Sequence, residues 1–301
     1  MRRSARPVLQ NRGVDAQTRN WAQYWRAPDS SIEVMRAHFE THRYYKHSHE
    51  TYSFGVTESG AQTFTCRGAK RTSAAGMVMA FNLDDPHDGH ATTALGFTYS
   101  IVYIPESAVT EILGDRRGRR GGAPLFVEPV LHDKAAADAL RRLSAALSDD
   151  GRLAVDEMRD QAIRALVRCT PLRTGALGPE PGAGPGPLGL AAPRRPEAGL
   201  LRVRDLLRAQ YAREFGAEEL AHLAGCSRFA LYRAFVAAYG MSPGDYQRQL
   251  RLRAARSLLA QGLSPAQAAS ETGFADQAHL TRWFGRCYGI TPARYRTAVV
   301  A

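Results

Sequence analysis

The chain has 301 residues, of which 44% are hydrophobic and 23% are charged, an ordinary composition for a folded protein of about two domains. Because no run of about 18 apolar residues occurs, no transmembrane helix is expected, and the basic N-terminus lacks the apolar region of a secretory signal. The formal net charge of +11 suggests a polyanionic partner but does not prove one.

The cysteines are scattered along the chain and form no CxxC pair. They are Cys66, Cys169, Cys226 and Cys287. This spacing is typical of reduced, buried thiols rather than of a metal site or a disulfide framework. We therefore expect a cytoplasmic protein.

After a basic tail at residues 1–19, residues 20–130 carry the signals of a β-rich domain. Runs of β-branched and aromatic residues occur in YSFGVTESGAQTFTCRG, GMVMAFNLDDPHDG and GFTYSIVYI. A hairpin-like break at residues 58–60 and an Asp-Asp-Pro turn at residues 84–86 divide these runs. Several short strands separated by turn signals favour a β-sandwich or barrel.

Residues 131–170 follow the period of amphipathic helices. Two apolar faces result, one from Leu140, Leu143 and Leu147 and one from Met158, Ala162, Ile163 and Leu166. Such helices either pack on the barrel or pair with a second subunit, and the sequence leaves both possibilities open.

Residues 171–197 are rich in Pro, Gly and Ala without periodicity, which predicts a flexible linker. Residues 198–298 are helical in pattern throughout. A long helix is expected from Pro243 to about Gln261, and Ser264 and Asp276 are suited to cap the two helices that follow.

This last region contains one phrase twice. ALYRAFVAAYGMSPGDY begins at Ala230 and HLTRWFGRCYGITPARY begins at His279, and matching residues such as Leu231 and Leu280 are 49 positions apart. Each copy reads as a short helix, a Gly-containing turn and a second helix. This is the pattern of a helix-turn-helix unit, whose second helix enters the DNA major groove.

The apolar face of each second helix must be buried, so the opposite face is available to DNA. Arg and Gln suit guanine and adenine edges, and arginines suit phosphates. The predicted DNA-binding residues are Arg228, Phe229, Tyr232, Arg233, Gln277, His279, Thr281, Arg282 and Arg286, with Arg248 and Arg253 on the long helix as phosphate contacts. A solvated surface charge is the alternative for Arg233, and partial burial is the alternative for His279.

The stretch from about Leu200 to Arg296 resembles the DNA-binding domain of the AraC/XylS family of bacterial transcription regulators. The resemblance lies in AEELAHLAGCSRFALYRAFVAAYGMSPGDYQRQLRLRAARSLL and SPAQAASETGFADQAHLTRWFGRCYGITPARYR, the second of which is close to the family signature. It implies two helix-turn-helix units joined by a long helix, reading groove segments about 34 Å apart. Together with the N-terminal half, the expected fold is α+β, a cupin-like barrel followed by an all-α domain.

The N-terminal half is similar to the cupin-like effector domain of the same family, with His47 and His49 as an HxH motif and His87 after a later strand. Three histidines in a small barrel could hold a divalent metal. Metal-binding cupins, however, carry a glutamate after three or four further residues, where this chain has Ser53 and Phe54. We expect no cofactor, and we expect the three histidines to form a polar lining for a small effector. Two alternatives remain open: the histidines bind a metal ion, or they belong to the barrel wall and hydrogen-bond within the protein.

The predicted effector site combines the histidines with aromatic residues of the strands. Its residues are His47, His49, Tyr52, Phe54, Phe81, His87, His90, Tyr99 and Tyr103. An apolar barrel with a few polar groups suits a small molecule. A register error of one residue would turn each of these side chains to the other face of the sheet.

The resulting hypothesis is a sequence-specific transcription regulator, with activation expected because it is the usual mode of the family. Its partners would be promoter DNA, an unknown small effector, RNA polymerase and a second copy in a homodimer, with no membrane. One rival is a metal-dependent cupin enzyme, such as a dioxygenase, with a DNA-binding appendage. Another is an architectural DNA binder without an effector.

Overall fold

The computed structural model of the protein describes residues 20–26, 31–114, 123–147, 152–174 and 198–300. The predicted basic tail at residues 1–19 lies outside the described residues, as does the part of the predicted linker from residue 175 to residue 197.

The N-terminal half consists mainly of short strands, as its turn-separated apolar runs predict. They are β1 (Trp21–Arg26), β2 (Glu33–Phe39), β3 (Arg43–His47), β4 (Tyr52–Cys66), β5 (Ala69–Ala74), β6 (Val78–Phe81), β7 (His87–Ala91), β8 (Phe97–Ile104), β9 (Pro124–Phe126) and β10 (Val130–Leu131). The order β1-β2-β8-β4-β6-β10 forms the main path of one sheet, and β3, β5 and β7 join it through β4 and through each other. The pairings are antiparallel.

Strand β4 explains how one sheet becomes a barrel. A register shift between Thr57 and Ser59 marks a bulge. Before the bulge β4 pairs with β6 and β8, and after it β4 also pairs with β5 and β7. The hairpin-like break predicted at residues 58–60 is therefore wrong, because the strand continues through this point with a bulge and bends there.

The outer face of the sheet is covered by helices. These are α1 (Glu106–Gly114), α2 (Lys134–Ala146) and α3 (Arg152–Cys169). Leu140, Leu143, Ile163 and Leu166 are buried with outer-face residues of the sheet in one apolar cluster. The apolar faces of α2 and α3 therefore pack within the chain, which is the first of the two alternatives that the sequence left open.

Residues at the start of the predicted linker belong to the N-terminal fold. Strand β11 (Leu172–Thr174) pairs with β9 in a small two-stranded sheet. These three residues are therefore ordered strand and not linker.

The C-terminal half is helical. Its helices are α4 (Ala198–Ala209), α5 (Ala217–Ala224), α6 (Arg228–Tyr239), α7 (Pro243–Ala260), α8 (Pro265–Glu271), α9 (Gln277–Tyr288) and α10 (Pro292–Val300). The repeat is visible in the capping residues as well as in the sequence. The side chains of Ser227 and Asp276 accept hydrogen bonds from the backbone at the starts of α6 and α9, and Gly240 and Gly289 end these helices in the left-handed conformation. The α+β fold with two helix-turn-helix units, α5–α6 and α8–α9, is confirmed.

The two halves share one of their apolar cores. One apolar cluster contains barrel-interior residues such as Met35 and Phe81 together with Phe284, Tyr288 and Tyr295 of the second helix-turn-helix region. The first unit has a small core of its own, in which Leu231 and Phe235 of α6 are buried. The second unit therefore shares its core with the barrel.

Candidate DNA-binding surface and effector site

Helix α6 has the two faces that its sequence predicts. Leu231 and Phe235 are buried, whereas Arg228, Tyr232 and Arg233 are exposed. Phe229 has 79% of its surface exposed, which is unusual for a large apolar side chain and gives α6 an aromatic as well as a basic outer face.

Helix α9 is arranged in the same way. Its inner face buries Leu280, Phe284, Cys287 and Tyr288. Gln277, Arg282 and Arg286 are exposed on its outer face, and Thr281 is half-buried. Arg233 and Arg282, the matching arginines of the two units, make no ion pair or hydrogen bond within the described residues and point to solvent.

His279 lies at the edge of the outer face of α9. It is half-buried, and its Nε2 accepts a hydrogen bond from the indole nitrogen of Trp283 at 3.0 Å. The structure shows the partial burial that the sequence analysis gives as an alternative for His279. Because Nε2 accepts, Nδ1 of the neutral ring carries the proton and is the hydrogen-bond donor of this side chain.

The two arginines predicted as phosphate contacts on α7 have partners within the chain. Arg248 pairs with Asp245 at 2.5 Å, and its guanidinium stacks 3.8 Å from the ring centre of Trp283. Arg253 pairs with Asp84 of the N-terminal half at 2.6 Å, and its side chain is only 15% exposed. In this arrangement of the halves the charge of Arg253 is already compensated by a carboxylate, and its role as a phosphate contact stays a prediction.

The barrel interior contains a cavity of about 30 Å³, with room for a water molecule or two. Six of the predicted effector residues line it: His47, His49, Phe81, His87, Tyr99 and Tyr103. Cys287 and Tyr288 from the inner face of α9 also line it. The cavity therefore lies between the barrel and the second helix-turn-helix unit.

Three predicted effector residues lie elsewhere. Tyr52 and Phe54 are fully buried against Phe126 on the outer face of the sheet. His90 is half-buried in β7 and is not among the residues that line the cavity. The structure therefore does not bring these three residues to the cavity. For Tyr52 and Phe54 the reason is the bulge in β4, which reverses the alternation of side chains, so that Gln62 and Phe64 after it face the cavity.

The three cavity histidines form one buried cluster. Each is at most 5% exposed, and one ring nitrogen of each lies within 4.8 Å of those of the other two. Phe81 stacks on His87 with ring centres 3.9 Å apart, which fixes the plane of that imidazole.

Burial keeps these imidazoles neutral. The pKa of His87 is lowered to about 4, chiefly because burial disfavours the charged ring. Burial also lowers the pKa of His47 and of His49 well below the usual value, and the neighbouring histidines lower both further. At neutral pH the cluster therefore presents ring lone pairs and not positive charge.

Two family models match the chain. An AraC-like ligand binding domain covers residues 30–167, and a helix-turn-helix domain covers residues 220–298. The HTH-type transcriptional regulator YbfI of Bacillus subtilis is 28% identical over 258 residues, which span 84% of this chain and 87% of that protein. The chain is an AraC-type transcriptional regulator.

Further comparisons agree with this assignment. The HTH-type transcriptional regulator RipA of Corynebacterium glutamicum is 34% identical over 111 residues, 37% of this chain and 32% of that protein. Among solved structures, a ToxT variant from Vibrio cholerae superimposes with a TM-score of 0.54 at 12% identity, covering 91% of this chain and all of that one. At 12% sequence identity, the structural similarity to ToxT shows only that the two chains share a fold.

The alternative of a cupin enzyme has no support in these matches, because both family models and the relatives named above describe regulators. The matched domains and the named relatives are those of transcriptional regulators and not of enzymes. Among the helices of the described ranges, none has the length and apolarity needed to cross a membrane.

The effector domain of the AraC-type chain holds its DNA-binding domain through a buried ion pair that the sequence did not indicate. Arg256 of α7 pairs with Glu33 of β2, and both side chains are almost completely buried. Tyr24 and Tyr295 donate hydrogen bonds to the same carboxylate at 2.8 and 2.9 Å. Neither residue stands in a recognisable motif, so only the tertiary structure reveals the pair.

A second contact joins α7 to the histidine cluster itself. Ser48 lies between His47 and His49. Gln249 donates to its backbone carbonyl at 2.9 Å, and Arg253 donates to its hydroxyl at 2.8 Å. The long helix that connects the two helix-turn-helix units is therefore bonded to the HxH segment of the effector domain.

Proposed function

We propose that this AraC-type regulator binds promoter DNA with the exposed faces of α6 and α9, and that occupancy of the barrel cavity controls how its DNA-binding domain is held. Arg233 and Arg282 would read bases in two successive groove segments, and Arg228, Gln277 and Arg286 would contribute further contacts. Such a protein acts where promoter DNA is, in the bacterial cytoplasm.

One observation carries the proposal. Tyr288 and Cys287 close the effector cavity with the inner face of α9, whereas Gln277 and Arg282 stand on the outer face of the same helix. A molecule that enlarges or reshapes the cavity must therefore act on a helix that also contacts DNA. This is a population shift between two arrangements, driven by the different affinity of the effector for each.

Two further partners complete the proposal. Activation requires a contact with RNA polymerase, and pairing of two copies would double the number of groove segments that one complex reads. Both belong to the general behaviour expected of the family, and neither rests on a particular residue of this chain.

The test begins with selection of a preferred sequence from a random DNA library by the full-length protein. The affinities of the wild type, Arg233→Ala and Arg282→Ala for the selected sequence and for random DNA are then measured by fluorescence anisotropy. Arg36→Ala is the matched control, because it removes an exposed charge from β2, far from the two helices in the sequence. If no sequence is enriched, or if both helix variants bind as the wild type does, the proposal fails.

The effector can be sought in the same assay. A solved structure of ToxT from Vibrio cholerae, with a TM-score of 0.50 and 11% identity to this chain, is bound to an unsaturated fatty acid. An unsaturated fatty acid is therefore one compound class to include among the candidate effectors.

A further inference from the structure

We infer that His47, His49 and His87 form a binding site for one divalent transition-metal ion, and that this ion is the effector of the regulator. The second part rests on the proposed function above, whereas the first part does not.

The fold brings the three histidines together from separate places. His47 ends β3, His49 lies in the loop before β4, and His87 begins β7. Their ligand nitrogens lie within 4.8 Å of one another. Imidazole nitrogens that share one ion lie about 3.4 Å apart in a tetrahedral site with bonds of 2.0–2.1 Å. A small movement of the side chains would therefore complete the coordination.

The tautomers of two of the histidines suit this role. Nδ1 of His47 lies 2.7 Å from the carbonyl oxygen of Tyr45, and Nδ1 of His87 lies 2.8 Å from that of Asp85. A carbonyl oxygen only accepts, so both Nδ1 atoms must carry the proton. Nε2 of each neutral ring therefore has a free lone pair, and a backbone carbonyl orients each ring as it does in many metal sites.

The third histidine and a neighbouring serine have unused polar atoms. Nδ1 of His49 and the hydroxyl of Ser53 are both buried, and neither has a hydrogen-bond partner among the described residues. Buried polar groups in native proteins rarely lack a partner. An ion bound to Nδ1 of His49 would supply the partner that the protein itself does not.

The donor set selects the class of ion. Imidazoles suit zinc, copper, iron and nickel, whereas magnesium and calcium prefer oxygen ligands. Ser53 stands at one of the two positions where a metal-binding cupin carries its glutamate, so no carboxylate at that position would offset the charge of the ion. The site would therefore gain two positive charges when it is filled.

That gain of charge connects the site to DNA binding. Arg253 and Arg256 of α7 are close enough to His49 to contribute to the lowering of its pKa. An ion on His49 would repel the same two arginines, and it would also draw together the two histidines that flank Ser48. Since Gln249 and Arg253 bond to Ser48, we expect the filled site to loosen the attachment of α7 to the effector domain.

The first experiment measures the ion alone, without DNA. Full-length protein is freed of metal with a chelator and titrated with cobalt(II), whose visible absorption reports the ligand geometry, and zinc is then added to displace it. We expect about one ion per chain. We also expect the His49→Gln variant to bind at least about 100-fold more weakly, because even the loss of an outer-shell partner costs 10–100-fold.

The control is His90→Gln, which changes a histidine on the same strand as His87 but outside the cluster, and should leave binding unchanged. Circular dichroism checks the fold of each variant. If His49→Gln does not fold, electron paramagnetic resonance of copper(II) bound to the wild-type protein tests the site instead, because imidazole ligands produce nitrogen hyperfine splitting. Wild-type protein that takes up no ion, or a folded His49→Gln variant that binds as tightly as the wild type, overturns the site.

The second experiment tests the ion as the effector. The affinity of the full-length protein for its selected DNA sequence is measured with zinc, with chelator and with an unsaturated fatty acid. We expect zinc to change the affinity about 10-fold or more, and not to do so in His49→Gln. If zinc binds without changing the affinity for DNA, the ion is not the effector but the metal site stands. The same conclusion follows if only the fatty acid changes the affinity for DNA. Failure of all forms to bind any DNA sequence overturns the proposed function instead.

Discussion

Arg256 and Glu33 stand 223 positions apart in the sequence and form a buried ion pair between the two halves of the molecule. Burial alone would raise the pKa of Glu33, but Arg256, Arg26 and a hydrogen bond from Tyr24 outweigh it and lower the pKa below its usual value. The carboxylate is therefore charged at neutral pH, and the pair holds α7 against β2. Any effector that rearranges the halves must weaken this contact or move it as a unit.

Removal of one member of this pair should strongly destabilise the protein. Glu33→Gln leaves Arg256 as a lone buried charge, which costs about 3–5 kcal/mol. Arg256→Gln leaves Glu33 with Arg26 as its remaining charged partner, so its cost should be smaller. Urea unfolding of the full-length protein measures the effect. Lys134→Ala is the control, because Lys134 pairs with Asp138 on the surface, where its side chain is 89% exposed and solvent screening leaves little net stabilisation. Equal, small effects in all three variants would show that the contact between the halves is not formed in solution.

Replacement of Arg282 by alanine should reduce the preference for the selected DNA sequence. The loss of a bidentate base contact costs about 1–3 kcal/mol on the preferred sequence and little on random DNA.

Replacement of Arg248 by alanine should do more than weaken binding to all DNA sequences alike, which is the effect expected of a phosphate contact. Since Arg248 stacks on Trp283 and pairs with Asp245, its removal should also lower the thermal stability of the second unit. Anisotropy on both DNAs, with a melting curve, separates the two effects, and an unaltered melting temperature for Arg248→Ala would contradict the structural role.

The sequence predicts local structure well where the signal is local. The caps Ser264 and Asp276 and the long helix from Pro243 all form as the residue pattern indicates. The sequence also predicts the buried and exposed faces of α6 and α9, because side-chain direction repeats with the same period along the whole length of a helix.

The effector site was readable only in part. The HxH motif identifies the histidines, but the alternating pattern predicts the wrong face of the sheet for Tyr52 and Phe54, because a bulge of one residue leaves no clear trace in such a pattern. The ion pair between Arg253 and Asp84 is not predictable from the sequence, because no motif around either residue specifies how the two halves pack against each other.

Gly289 allows α9 to end against the effector domain, and alanine there should destabilise the protein. Its φ of +69° is unfavourable for other residues, and an added Cβ would lie 2.6 Å from the hydroxyl of Tyr44 and 2.8 Å from the ring of Phe39. We expect a loss of at least about 1 kcal/mol in thermal or urea unfolding. Gly285→Ala is the matched control on the same helix, where an added Cβ has no neighbour within 4 Å and should stabilise the helix by about 0.5–1 kcal/mol. If the two variants shift stability in the same direction, the close contact of Gly289 with Tyr44 does not exist.

The metal-free protein should lose stability as the pH falls from about 6.5 to about 4. Burial lowers the pKa of both His42 and His87 from 6.5 to about 4. Between these values the unfolded chain binds more protons than the folded one, so the free energy of unfolding rises with pH and falls as acid is added. Each group contributes at most about 1.4 kcal/mol per pH unit. Urea unfolding at half-unit steps of pH gives the slope, and His42→Gln should reduce it by the share of that one residue. A slope that is unchanged in His42→Gln would show that His42 titrates in the folded protein as it does in the unfolded chain.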